Sequence, residues 1–466
     1  MEGRQPTYDE LLAENAALKV RVEQLTTQIQ QLTAQVEALT KLLEEKTRSG
    51  KRQAAPFSKG PPKKNPKTPG RKPGEDYGQH HRRAIPDHID ETYDVPLPTA
   101  CPECGSRELI DEATLPQWQT DLPTRPIVRQ FDIHCGHCQC CGQRVQGRHE
   151  LQISDATGAA ASQFGANVHA AVAILNKELG LPHGKIARLM RLLFDIRLSR
   201  STSCRSILRT AMKCEPAYEQ IIETVRGSPL VKGDETGWKV SGLLHWLHVF
   251  VTEEAVLYRI DRGRGHEVPA GILGLDYDGT LIHDGLASYG RFTRAFHQQC
   301  LAHLLKRCRN LLETATAGAV RFPRAVEALL LRSLAVRDRF LAGDVTERGL
   351  ASLAGRLTAA LERLVTPART HVGNERLARF LHKHLDEVFW FLTCPQGIAA
   401  TNNESEFELR FNVIARKLSG GNRSEAGRHA QEVLPSITRT CRKLGREPHD
   451  FLHQTIRSPN PVPLYN

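Results

Sequence analysis

No run of about 18 apolar residues occurs anywhere in the 466-residue chain, which leaves no candidate for a membrane-spanning helix. The first residues also lack a charged stretch followed by an apolar one, so no secretory signal is expected. Together these absences predict a soluble cytoplasmic protein without a membrane partner. Acids are scarce in one place. Between Lys46 and Arg83, twelve Lys or Arg face two acids, so this segment carries +10 of the chain's formal net charge of +11. A basic tether of this kind points to an anionic polymer, and a plain solvated linker is the alternative. Of the twelve cysteines, half fall between Cys101 and Cys141. In a reducing compartment such a cluster means metal more often than disulfides. The length argues for two to four domains, and the pattern for a multidomain α/β protein.

Residues 8–46 lack glycine and proline and carry a heptad repeat. Leu11, Leu18, Leu25, Leu32 and Leu39 fall seven apart, with Asn15, Val22, Ile29, Val36 and Leu43 at the other core position. β-Branched residues alternating with leucine favour a parallel two-stranded coiled coil, hence a homodimer. A helix packed within its own chain is the competing reading. Residues 47–88, basic and rich in proline and glycine, cannot bury enough surface to fold alone and form a linker, with Arg71 and Lys72 available to DNA.

In residues 98–148, Cys101/Cys104 and Cys138/Cys141 each form a C-x-x-C followed by glycine. Such turns aim two thiolates at one ion, and two of them complete a structural Zn²⁺ site. The 33 residues between them leave room for a hairpin such as Ile127 to Ile133. Cys135 and Cys140 are surplus, and Cys135/Cys138 also has ligand spacing. Residues 155–226 read as helices: Ala166 to Leu179, Lys185 to Phe194, a turn, then a helix capped by Ser199 or Ser201 and running to Met212. This spacing suits a helix-turn-helix, with Arg200 and Arg205 where DNA would be met. Three packed helices without DNA contact would look the same.

From 229 the periodicity turns to strands: Leu230 to Val240, Leu244 to Thr252, Val256 to Asp261 and Thr280 to His283. Helices follow through 312, 313–395 is wholly helical, and a late helix opens at Asn402-Asn403 within 396–445. Residues 446–466 are read as a tail. Three antiparallel strands, a strand, helices and a late helix is the order of an RNase H-like α/β fold, its first part at 229–312. In that order Asp234 lies on the first strand, Asp284 ends the fourth, and Glu404 or Glu406 projects from the late helix. Three converging carboxylates would hold two Mg²⁺ or Mn²⁺ ions, an arrangement suited to cutting and rejoining phosphodiester bonds.

The order of zipper, basic linker, two knuckles, Asp-Glu-Thr-Gly-Trp, Asp-Gly-x-x-Ser-Tyr, Cys300-Leu-Ala-His303 and Asn-Asn-x-x-Glu resembles the IS66-family transposases over nearly the whole chain. The resemblance implies a DDE-type enzyme of bacterial insertion sequences, acting at element ends with or without accessory proteins and associated with the nucleoid. It also implies that 313–395 is a helical insertion in the RNase H-like core. It carries the catalytic roles to Asp234, Asp284 and Glu406. Arg410, Arg416 and Lys417 remain to meet DNA. Thr401 stands where the family often has aspartate, and Phe407 where it usually has arginine. Cys300 and His303 have metal-binding spacing, although a buried helix face suits them as well. A dimeric zinc-containing DNA-binding protein without cleavage activity is the second reading.

Overall fold

A computed structural model describes residues 8–49, 125–156 and 162–465, together with 86, 88–100, 102–108, 110, 117 and 119. Arg71, Lys72 and Cys101 lie outside these residues. The heptad segment is one helix, α1 (Tyr8–Ser49). Its core-position residues from Leu18 to Leu39 are 44–64% exposed, so the apolar stripe is left uncovered by the described residues.

Next comes a two-stranded antiparallel hairpin, β1 (Cys135–His137) and β2 (Arg144–Gln146). This corrects the expectation of a hairpin at Ile127 to Ile133, which is irregular. The β-branched residues there pair with no strand among the described residues. The turn that closes a hairpin is instead the second C-x-x-C-Gly, where Gly142 adopts φ 72° and donates its N–H to the Cys138 carbonyl.

Four helices follow: α2 (Ala166–Lys177), α3 (His183–Phe194), α4 (Arg200–Lys213) and α5 (Glu215–Gly227). Ser199 caps α4 by accepting from the Thr202 N–H, which fixes where the helix begins. The sheet then runs β3 (Leu230–Val240), β4 (Leu243–Val251) and β5 (Val256–Asp261), followed by the short helix α6 (Glu267–Leu273), β6 (Thr280–His283) and β7 (Phe296–Gln299). Its strand order is β5-β4-β3-β6-β7, antiparallel from β5 to β3 and parallel from β3 to β7.

Residues after β7 form α7 (Leu301–Thr314), α8 (Arg321–Leu341), α9 (Glu347–Val365), α10 (Val372–Lys383) and the single turn α11 (Leu385–Val388), which share a separate core including Leu304, Leu330 and Leu361. The chain returns to the sheet with α12 (Asn403–Ser419), α13 (Glu425–Lys443) and α14 (Pro448–Arg457). Trp238, Leu247, Tyr258 and Leu409 bury one sheet face under α12. The opposite face joins a core with α2 to α5, α13 and α14. Residues 446–466 therefore hold a packed helix and the buried Leu452 and Leu464, where the sequence suggested a tail. No helix among the described residues is long and apolar enough to cross a membrane.

Candidate active site

Parallel pairing of β3 with β6 sets the geometry. Lys232 lies opposite Ile282, so the same register continued by two residues brings Asp234 level with Asp284. Side chains two apart on a strand share a face. Lys232 and Asp234 therefore point the same way, toward α12.

The start of α12 is tied to that strand. Asn402 donates its side-chain amide to the Gly233 carbonyl at 2.8 Å and accepts from the Ser405 hydroxyl at 2.7 Å. Its own N–H reaches the buried Cys300 sulfur at 3.1 Å. Cys300 thus supports the helix start from inside the fold. His303, one turn along α7, stands with Nε2 3.5 Å from a Glu406 oxygen.

The two candidate glutamates differ in their surroundings. Glu404 is bound on both sides, to Lys232 and to Lys443, each at 2.5 Å. These cations hold its carboxyl below the usual range against the opposing effect of burial. Glu406 is 47% exposed at its side chain and close enough for its charge to act on Asp234. Asp234 is pushed up to about 7, chiefly by burial, then by the charges of Glu235, Asp284 and Glu406, with the Glu235 N–H pulling the other way. Glu235 is also raised by burial, although Arg264 bonds it at 2.7 Å. The carboxylates face one another without joining into a tight cluster: among the described residues they form no group of donors within 4.8 Å.

Two glycines make the close approaches possible. A Cβ on Gly233 would fall on the Tyr289 hydroxyl, behind Asp234. Gly285 has φ 90°, and a Cβ there would meet the Phe380 ring and the Gln299 side chain. The turn it allows lets Asp284 Oδ1 accept from the Leu286 N–H at 3.0 Å, while Arg307 donates to the Asp284 carbonyl at 3.0 Å.

Sequence reasoning missed the residues under this turn. The described group whose donors do lie within 4.8 Å is His283, His297 and Glu387. A ligand role for His283 would need a free lone pair on Nε2. Its Nδ1 accepts from the Gly285 N–H at 3.1 Å, so Nε2 carries the proton and donates to His297 Nδ1 at 3.1 Å. His297 Nε2 then donates to the Phe292 carbonyl at 3.0 Å. The chain closes without an ion, and its order fits a hydrogen-bonded brace.

The basic residues expected to meet DNA differ in exposure among the described residues. Arg200 and Arg205 are exposed on α4, and Arg410 and Lys417 on α12. Arg416 is half-buried and reaches Thr236 Oγ1 at 3.4 Å. Of the thiols, Cys104 and Cys141 are exposed and precede glycines at φ 73° and 72°. The Cys138 thiol is held below its usual range by the Cys141 N–H and then by the Cys140 N–H, so this turn favours a thiolate at Cys138. Cys104, Cys138 and Cys141 do not converge within 4.8 Å among the described residues.

A protein of Sinorhizobium fredii described as uncharacterized protein y4jO is 29% identical over 175 residues, covering 38% of this chain and 50% of the relative. The chain therefore spans about half the length of this curated relative. The sequence model of the transposase IS66 family matches residues 161–430, from α2 through the carboxylates to the start of α13. That match takes in more than half of the chain, and the protein belongs to the IS66 transposase family.

Proposed function

We propose that this chain is a DNA transposase that cleaves at the ends of an insertion sequence and joins them to target DNA. The observation that supports this is Asp234 on β3 and Asp284 directly after the end of the adjacent parallel β6, with Glu406 on a helix anchored to β3. A sheet of three antiparallel strands extended by two parallel ones, with the late helix on its face, supports the RNase H-like reading. The raised Asp234 fits a divalent cation site, because buried like charges are costly until a cation joins them. Asp234, Asp284 and Glu406 would hold Mg²⁺ or Mn²⁺. When bound, such ions activate the attacking oxygen and stabilise the leaving one. Glu404 is a structural tie, neutralised by its two lysines.

The remaining parts serve DNA. Arg200, Arg205, Arg410, Arg416 and Lys417, with Arg71 and Lys72 of the linker, neutralise phosphates. Cys101, Cys104, Cys138 and Cys141 would bind a structural Zn²⁺, for which the thiolate-favouring turn at Cys138 is the support. Residues 8–46 dimerise and pair two element ends, on a nucleoid-associated protein that works with or without accessory proteins. Asp234→Ala should abolish metal-dependent nicking and joining of end DNA while end binding persists. Nicking by this variant at the normal rate would refute the assignment. Binding without nicking by the unaltered protein would favour a regulator.

A further inference from the structure

Phe407 follows Glu406 directly and is 58% exposed. A single exposed aromatic needs no explanation by itself. Its setting does. One side of the ring is covered by the Arg439 guanidinium, 5.5 Å from its centroid and 6.0 Å from that of Phe411. Arg439 cannot swing away freely, because it donates to both oxygens of the buried Glu408 at 2.6 and 2.8 Å. Phe407 is therefore a ring backed by a fixed cation.

The cations near it divide into paired and open ones, with Glu404 and Glu408 as the partners of the paired set. Lys232 and Lys443 meet at Glu404 about one turn before Phe407. Arg410 is exposed about one turn after it. An open aromatic face backed by one arginine and followed by an exposed one is a composition that binds single-stranded nucleic acid: bases stack on the ring and phosphates meet the guanidinium groups. A base inside a duplex has its faces covered by neighbours, so the ligand this surface fits is an unpaired one.

We infer that Phe407 stacks an unpaired nucleobase beside the phosphate handled at Asp234, Asp284 and Glu406. The inference rests on the transposase reading for its catalytic setting, not for the stacking itself. The rival occupant is a helix from a second copy, laid along the exposed row of Phe407, Ile414 and Leu418. The Arg439 guanidinium behind the ring and the exposed Arg410 one turn on favour DNA.

The test measures full-length protein binding a fluorescent mixed-sequence single-stranded oligonucleotide and its duplex, without divalent metal so that no cleavage intervenes. Phe407→Leu should weaken single-strand binding about tenfold, the scale of losing one base–aromatic stack. Phe407→Trp should restore it, and duplex binding should stay within about twofold in both variants. Equal loss on both DNAs, no loss in Phe407→Leu, or failure of Trp to rescue would overturn the inference. So would a changed oligomeric state of Phe407→Leu with DNA affinity intact, which would mark a protein interface. Failure of the catalytic reading would appear separately, as nicking that survives Asp234→Ala.

Discussion

Glu404 and Glu406 sit two residues apart, and their surroundings assign them opposite roles that mutation can separate. Glu404→Gln removes the anion between Lys232 and Lys443, each 2.5 Å from it, and leaves those cations 16% and 17% exposed. Breaking a fully buried pair costs ~3–5 kcal/mol, whereas an exposed pair is worth ~0–1 kcal/mol. The Glu404 side chain is 36% exposed, so solvent screening places the loss nearer the lower figure, about 1–2 kcal/mol. In a domain of this size that lowers Tm by about 2–6 °C. Glu406 has no lysine or arginine partner among the described ion pairs, only the long contact to His303. Glu406→Gln should leave Tm within about 1 °C, since surface substitutions rarely exceed ~0.5 kcal/mol. Its metal-dependent nicking should fall by ~10²-fold or more, the scale of losing one group that stabilises transition-state charge. Thermal melts and nicking of end DNA read both variants side by side. A Glu404→Gln protein that melts normally but cannot nick, or a Glu406→Gln protein that nicks at the wild-type rate, would refute this division.

The raised Asp234 makes the site sensitive to pH. Its folded value of about 7 lies above the ordinary 3.8, so its contribution to stability is fully present below pH 3.8 and is lost as pH rises through 7. Without metal, Asp234→Asn should therefore melt higher than wild type at pH 8, with the difference closing near pH 4. Mg²⁺ should raise the wild-type Tm and move the variant less; an equal response would remove Asp234 from the ion site. Replacing Leu25 and Leu32 together by Glu puts charge on the exposed stripe of α1 and should give monomers by light scattering. A dimer that survives this change would locate the self-association elsewhere.

Where periodicity was long, the chain could be read directly. β3, β4 and β5 follow from runs of β-formers between tight turns, and Asp234 and Asp284 were marked by their glycine neighbours, which the close approach of Tyr289 and Phe380 explains. β7 escaped because Phe296-His-Gln-Gln299 is four residues long and does not alternate. Its Gln298 is buried and satisfied instead by the Val388 carbonyl and the Phe391 N–H, partners about ninety positions away. The spacing from Asn402-Asn403 already points to Glu406, but the tie that occupies Glu404 involves Lys443, a residue of another helix that no local spacing brings into view. The brace through His283 and His297 was hidden for a related reason. Fourteen residues separate the two rings, and only the pairing of β6 with β7 brings them together.

That brace alters how the helical insertion between β7 and α12 should be regarded. From its sequence it is an extra layer, with its own core and none of the candidate carboxylates. In the fold it touches the turn that carries one of them. Phe380 of α10 stands against Gly285, and Arg307 packs its guanidinium 4.3 Å above the same ring while bonding the Asp284 carbonyl. Glu387 of α11 accepts from Gln299 at the end of β7 and from His384. The Asp284 turn is thus held by β6 on one side and by the insertion on the other. A left-handed glycine turn has little stiffness of its own. Side chains from both layers close around it and supply that stiffness, with Phe380 and Gln299 against Gly285 and Arg307 on the Asp284 carbonyl.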